Sequence, residues 1–270
     1  MKRKVCSILC SMLLVLTVLG GCGKSNDATA TVTNPTEIYI FNASSLTNSM
    51  TEIQSLFAKV EPNVTLVFNS DSSGTLKTQI EEGAACDLFF SAATKQMDEL
   101  TAEGLVEDGS VTDLLSNKVV LIKAAGVSTK VTGFDNVTNA ANIALAGEDV
   151  PVGAYAREIF TSIGNLEDVL AMEVNECANV TAVLTAVSEQ SNEIGVVYQT
   201  DAESMGDSVE IIATAADDTM ASPVIYPIGK IVNSQASEDQ KAAATAFLSY
   251  LKSDEALAVF EKYGFTIYGQ

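Results

Sequence analysis

The chain has 270 residues, with 15 Lys plus Arg against 35 Asp plus Glu for a formal charge of −20, and it contains neither histidine nor tryptophan. Without histidine there is no Ser-His-Asp or Cys-His nucleophile pair, no imidazole base and no His-ligated metal, and the acidity argues against nucleic acid, whose binding rests on Lys and Arg neutralising phosphates. A hydrophobic fraction of 47% is ample for a buried core, and the length suits one large domain or two of ordinary size.

Lys2, Arg3 and Lys4 form a basic start, Ile8 to Leu19 is apolar, and Leu19-Gly20-Gly21 leads to Cys22. This reads as an export signal over residues 1–21, not a spanning helix. The Leu-x-Gly-Cys ending resembles the lipobox of bacterial lipoproteins, which implies that Cys22 is lipidated and becomes the first mature residue, tying an extracytoplasmic protein to the cell membrane. Loss of Lys2, Arg3 and Lys4 with no acidic residue takes the charge from −20 to −23. Residues 22–36, small and polar without a period, are expected to form a flexible tether. Cys6 and Cys10 leave with the signal. Cys86 and Cys177 are too few for a disulfide framework; export permits one bridge between them, but two buried thiols are expected.

From Glu37 onward, short β-rich runs alternate with amphipathic stretches, a pattern that argues an α/β fold with mainly parallel strands. Glu37–Phe41 is a predicted strand. Met50, Ile53, Leu56, Phe57 and Val60 then recur at helical spacing. Val64–Phe68 and Asp87–Phe90 are predicted strands, Thr75–Glu82 and Thr94–Glu103 predicted helices, and Asn117–Lys123 is apolar enough for a central strand. Beyond Gly126 the rhythm restarts: strand Ile143–Ala146, helices Tyr155–Ile163 and Thr181–Glu189, strands Ile194–Tyr198, Val209–Ala213 and Val224–Val232. The end is helical, Gln240–Leu251 and Asp254–Tyr263, with Ser237 and Ser253 as caps. Two similar lobes joined by crossings near Asn117–Ala125 and Ser222–Lys230 fit this rhythm, with lobe I over 37–121 and 226–270 and lobe II over 122–225. Each lobe would be a mixed, mainly parallel sheet flanked by helices.

Three strand-to-helix junctions are rich in hydroxyls or glycine: Ser44-Ser45, Ser72-Ser73-Gly74-Thr75, and Pro151-Val152-Gly153. Each places unpaired backbone N–H groups at a helix start, where the dipole favours an anion. Any one of them also reads as a plain cap.

Together the segments IFNASSLTNSM, FNSDSSGTLKTQIEEGAACDLFFSA, VPVGAYAREIF, NVTAVL, IGVVYQTDA and the terminal FEKYGFTIYG resemble the periplasmic molybdate-binding proteins of ABC uptake systems, in that family's order and over about Glu37 to Tyr268. The resemblance implies a two-lobed periplasmic-binding-protein fold with an oxyanion held between the lobes by neutral donors. Carried over by motif, the hydroxyls fall on Ser45 and Ser73, the backbone donors on Val152 and Val180, and the phenol on Tyr198. Val152 stands where many relatives have alanine. The loop Asn69–Ser73 is one residue longer than in some relatives, so Ser72 is an alternative to Ser73.

Such a protein would need no cofactor and no direct metal ligands, would act without catalysis and as a monomer, and would deliver molybdate, and tungstate, to an ABC transporter permease. About seven hydrogen bonds to a charged acceptor, each contributing about 1.5–3 kcal/mol, would outweigh desolvation in a closed, dry cleft. Rival readings are a solute-binding protein for sulfate, phosphate or a small organic acid, and an exported hydrolase using carboxylates such as Asp71, Asp87 and Asp201. No spacing selects a carboxylate pair. Arg157 and Lys77, near the junctions, are expected to be exposed helix charges rather than anion ligands.

Overall fold

The computed structural model describes residues 32–269; the expected export signal, Cys6, Cys10, Cys22 and the first part of the expected tether lie outside them. The chain runs β1 (Thr36–Ala43), a 3-10 turn (Ser44–Leu46), α1 (Thr47–Val60), β2 (Val64–Asp71), α2 (Ser73–Glu81), β3 (Leu88–Phe90), α3 (Thr94–Ala102), β4 (Thr112–Asn117), β5 (Val119–Ala124), β6 (Asn142–Ala146), α4 (Pro151–Ile163), α5 (Leu166–Leu170), β7 (Glu173–Cys177), α6 (Val180–Ser188), β8 (Ile194–Tyr198), α7 (Gln199–Ser204), β9 (Val209–Thr214), β10 (Val224–Lys230), α8 (Glu238–Tyr250), α9 (Asp254–Lys262) and β11 (Thr266–Ile267).

These strands make two mixed sheets, one in the order β11-β4-β10-β3-β1-β2 and the other β7-β6-β8-β5-β9. In the first, β1 lies parallel to β2 and β3, while β10 and β4 run antiparallel to their neighbours. The second repeats the plan: β6 is parallel to β7 and β8, and β5 is antiparallel to β8 and β9. Helices follow the parallel strands because a parallel pair needs a crossover, and the crossover buries an apolar helix face on the sheet. In α1 that face is Met50, Ile53 and Phe57, and Phe57 meets Phe247 of α8 edge to face at 4.9 Å. Val60, placed on the same face by its spacing, is 54% exposed because the helix ends there. Ser237 and Ser253 cap α8 and α9, accepting from Gln240 N–H at 3.2 Å and Ala256 N–H at 3.3 Å.

Two expectations are corrected. The apolar run Asn117–Lys123 is not one strand: Asn117 ends β4 in the first sheet, and Val119 begins β5 in the second. The chain therefore crosses at Lys118, so Val119–Leu121 belong with the second lobe and Val224–Ile225 with the first. The end of the expected tether is also part of the fold. Val32 is buried, Asn63 Nδ2 donates to its carbonyl at 3.0 Å, and Thr36 opens β1 in register with Val64. β7 went unread in the sequence because its outer residues are exposed and polar, as befits an edge strand.

Candidate functional site

In both sheets the helices start at the carboxyl ends of parallel strands, the place where open α/β sheets bind ligands. β1 ends at Ala43 and turns into Ser44-Ser45; β2 ends at Asp71 and α2 begins at Ser73; β6 leads to α4 at Pro151; β7 leads to α6 at Val180. The two sheets face these ends toward each other. A small cavity of about 10 Å³ lies between, lined by Ser45, Ser73, Val152, Val180 and Tyr198 together with Ser44, Asp71 and Ser72. All five residues picked from sequence thus converge on one cavity.

The local geometry decides which polar hydrogens at these positions already have a partner within the fold. Val152 and Val180 stand in the first turns of α4 and α6, ahead of any intrahelical carbonyl partner for their N–H groups. Pro151 sits at the start of α4, where its missing N–H costs nothing. Gly153 follows because a Cβ there would stand 2.0 Å from the Gly147 carbonyl oxygen, so only glycine lets α4 begin this close to the strand end. Asn179 caps α6, its Oδ1 accepting from Ala182 N–H at 3.0 Å.

Ser72 and Ser73 differ in what their hydroxyls are already doing. Ser72 is the cap of α2: its Oγ accepts from Thr75 N–H at 3.1 Å and donates to Thr75 Oγ1 at 2.8 Å. Ser73 Oγ accepts from Ala92 N–H at 3.0 Å, which leaves its proton for the cavity. Ser45 Oγ lies 3.0 Å from the phenol of Tyr226, a residue that the motifs did not single out.

Tyr198 ends β8 with its side chain 2% exposed, and its hydroxyl has no hydrogen-bond partner among the described residues. Burial pushes this phenol well above its ordinary pKa, so it stays a neutral donor.

The tempting cations are elsewhere. Lys77 pairs with Glu81 at 2.6 Å and Glu99 at 3.2 Å. Arg157 donates to the carbonyls of Ala146 at 2.8 Å and Gly153 at 3.0 Å and reaches Glu176 at 3.4 Å. Neither is the freely exposed charge expected from its helix position: their side chains are 19% and 15% exposed. Neither lines the cavity.

Of the three carboxylates considered for catalysis, Asp71 borders the cavity, Asp87 accepts from Tyr39 N–H at 2.8 Å, and Asp201 accepts from Tyr198 N–H at 3.2 Å. Asp71 likewise accepts from a backbone N–H, that of Ser72 at 2.7 Å. The described residues contain no cluster of three or more Cys, Asp or Glu able to hold a metal ion. Cys86 and Cys177 are both buried and free, and burial raises both thiols.

Contacts between the lobes flank the cavity. Asn179 Nδ2 donates to Asp71 Oδ1 at 3.0 Å and Gln96 Nε2 reaches the Asp149 carbonyl at 3.5 Å. Gly74 packs so near Asp149 that a Cβ would lie 2.3 Å from its carbonyl oxygen.

Known proteins share this architecture and sequence. YvgL of Bacillus subtilis (strain 168), named as a candidate ABC transporter substrate-binding lipoprotein, is 35% identical over 261 residues, 96% of this chain and 97% of that protein. The molybdate-binding protein ModA of Escherichia coli (strain K12) is 33% identical over 238 residues, 86% of this chain and 89% of its own length. The solved substrate-binding domain of a candidate molybdenum ABC transporter from Clostridium difficile superposes with a TM-score of 0.64 at 34% identity, covering 86% of this chain and 98% of that one. Residues 38–266 match the family described as bacterial extracellular solute-binding protein, to which this chain belongs.

Proposed function

We propose that this protein captures molybdate, and tungstate with it, in the cavity between its lobes, and delivers the anion to the permease of an ABC transporter. In this reading it acts as a monomer held at the outer face of the cell membrane through a lipid on Cys22, and it performs no chemistry on its ligand. The observation that supports the ligand class best is the hydroxyl of Tyr198, buried without a partner among the described residues beside two serine hydroxyls and two helix starts. An unpaired buried hydroxyl costs about 1–3 kcal/mol, and an anion accepting its proton would remove that cost.

Ser45 and Ser73 would donate from the first lobe, and Val152 N–H, Val180 N–H and Tyr198 from the second. A tetrahedral dianion so placed has donors on both sides, so binding favours the closed arrangement, and opening at the permease would release it. The names borne by the ModA relatives point the same way. Discrimination against hydrogen phosphate would follow from its proton, which needs an acceptor, since the bordering carboxylate of Asp71 already accepts from Ser72 N–H and Asn179 Nδ2; sulfate would be rejected only by size.

Calorimetric titration of the purified protein with molybdate, tungstate, sulfate and phosphate tests this. Tight, saturable binding of molybdate and tungstate with much weaker sulfate binding is expected. Tight binding of sulfate or phosphate with none of molybdate would overturn the assignment in favour of another oxyanion.

A further inference from the structure

Ser45 can serve an anion only if its proton points into the cavity, and its neighbours decide whether it does. Its Oγ lies 3.0 Å from Tyr226 Oη, a contact in which either oxygen could donate. Tyr226 is fully buried in β10 and also accepts from Asn117 Nδ2 at 3.2 Å. The orientation of that amide is set by its other partners: Asn117 Oδ1 accepts from Lys118 N–H at 2.8 Å, and Nδ2 also donates to Thr200 Oγ1 at 2.9 Å.

With Asn117 as donor, the phenol proton of Tyr226 needs an acceptor of its own. Ser45 Oγ is the one at hand. If Ser45 donated instead, Tyr226 would accept twice and leave its own buried O–H unpaired, at a cost of about 1–3 kcal/mol. The satisfied arrangement therefore runs from Asn117 to Tyr226 to Ser45, and it leaves the serine proton for the cavity.

We infer that Asn117 and Tyr226 are positioning residues that set Ser45 as an anion donor, and that the setting is tied to the hinge. Asn117 is the last residue of β4 before the chain crosses between the sheets, and its amide also holds Thr200, which belongs to α7 beside the second sheet. The same amide that joins the lobes at the crossing thus fixes the polarity of a hydroxyl at the cavity. The inference rests on the oxyanion reading above and deepens it: Tyr226 and Asn117 act on the ligand only through Ser45.

A double-mutant cycle on the purified protein, read by calorimetry with molybdate and with sulfate, tests it. Tyr226→Phe keeps the ring that packs edge to face on Phe265 and removes only the hydroxyl, while Asn117 Nδ2 keeps Thr200 Oγ1 as acceptor. It should weaken binding of the preferred anion about tenfold in the wild-type background and less than about twofold when Ser45→Ala is already present. Asn117→Asp supplies a second variant: its carboxylate would take the Tyr226 proton and force Ser45 to donate to the phenol, so its loss of affinity should be smaller in the Ser45→Ala background, where only the repulsion between the new charge and the anion remains. Asn117→Gln, which can still donate, should restore part of the affinity lost in Asn117→Asp. Losses from Tyr226→Phe and Ser45→Ala that simply add, with the wild type binding normally, would overturn the relay alone. A wild type that binds neither anion would overturn the functional reading and the relay with it.

Discussion

Asn179 and Asp71 join the two lobes beside the cavity, Nδ2 to Oδ1 at 3.0 Å, and each is also tied to a helix start on its own side. Asp71 Oδ1 accepts from Ser72 N–H at 2.7 Å, and Asn179 Oδ1 accepts from Ala182 N–H. One hydrogen bond thus couples the beginning of α2 to the beginning of α6, the two elements that carry Ser73 and Val180. Asn179→Asp keeps the cap of α6 but sets two carboxylates against each other across the cleft. Stopped-flow binding of molybdate should show release faster by about tenfold or more with association little changed. Adding Asp71→Asn restores a donor facing an acceptor, and slow release should return.

Gly74 tests closure by sterics rather than charge. Alanine at this position suits the first turn of α2, yet its methyl would meet the Asp149 carbonyl of the other lobe at 2.3 Å. Gly74→Ala should therefore keep or slightly raise the melting temperature of the ligand-free protein, since alanine favours a helix over glycine by about 1 kcal/mol. Molybdate affinity should fall by about tenfold or more, because the closed form must move a rigid backbone group aside. Unchanged affinity would mean that closure does not bring these groups together.

Ser45→Ala and Tyr198→Phe probe the donors themselves. Each removes one hydrogen bond to a charged acceptor, about 1.5–3 kcal/mol or roughly 10- to 100-fold in Kd. Tyr198→Phe should leave the ligand-free protein as stable as before or more so, because the hydroxyl it removes has no partner among the described residues. Ser73→Ala behaves differently: it also strips the acceptor from the buried Ala92 N–H, so it should cost about 1–3 kcal/mol of stability as well as affinity. Urea titrations beside calorimetry separate the two effects. Ser72→Ala should lower stability by about 1 kcal/mol through its lost cap and leave affinity nearly intact.

Asp201 makes stability depend on pH. Burial raises its carboxyl from 3.8 to about 7, opposed in part by the N–H of Tyr198. Between those values the folded chain holds a proton that the unfolded chain has released, so folding stability is greatest at the acid end and falls as pH rises toward 7, by at most about 1.4 kcal/mol per unit. Above that the contribution is flat. Asp201→Asn keeps an acceptor for Tyr198 and should remove this part of the slope, leaving the variant more stable than the wild type at pH 8 in urea titrations. Ionisation of Asp201 also places a negative charge near Tyr198 and Tyr226, both of whose phenols it holds up. Molybdate affinity in the wild type should therefore weaken as pH passes about 7, and in Asp201→Asn it should not.

Whatever depends on near neighbours along the chain could be read from the sequence alone. Apolar residues at helical spacing marked α1, serines marked the starts of α8 and α9, and hydroxyls and glycine at three strand ends marked the turns that meet at the cavity. Caps and periods are short-range physics, settled within one or two turns of chain. The motif resemblance added Val180 and Tyr198, and the fold brings both to the same cavity.

Tertiary structure alone decided the rest. Asn117–Lys123 looks like one strand because its apolar residues run on, yet the two sheets divide it at Lys118, since pairing partners that decide a strand's place lie far off in sequence. Tyr226 reads as one more core aromatic in β10; only its meeting with Ser45, 181 residues earlier, and with Asn117 makes it a neighbour of the site. Which of Ser72 and Ser73 keeps a free proton depended on Ala92 arriving from the end of β3. The −20 charge foretold none of this, because an anion responds to the few oriented donors within hydrogen-bond reach, and only the packed fold decides where those donors point.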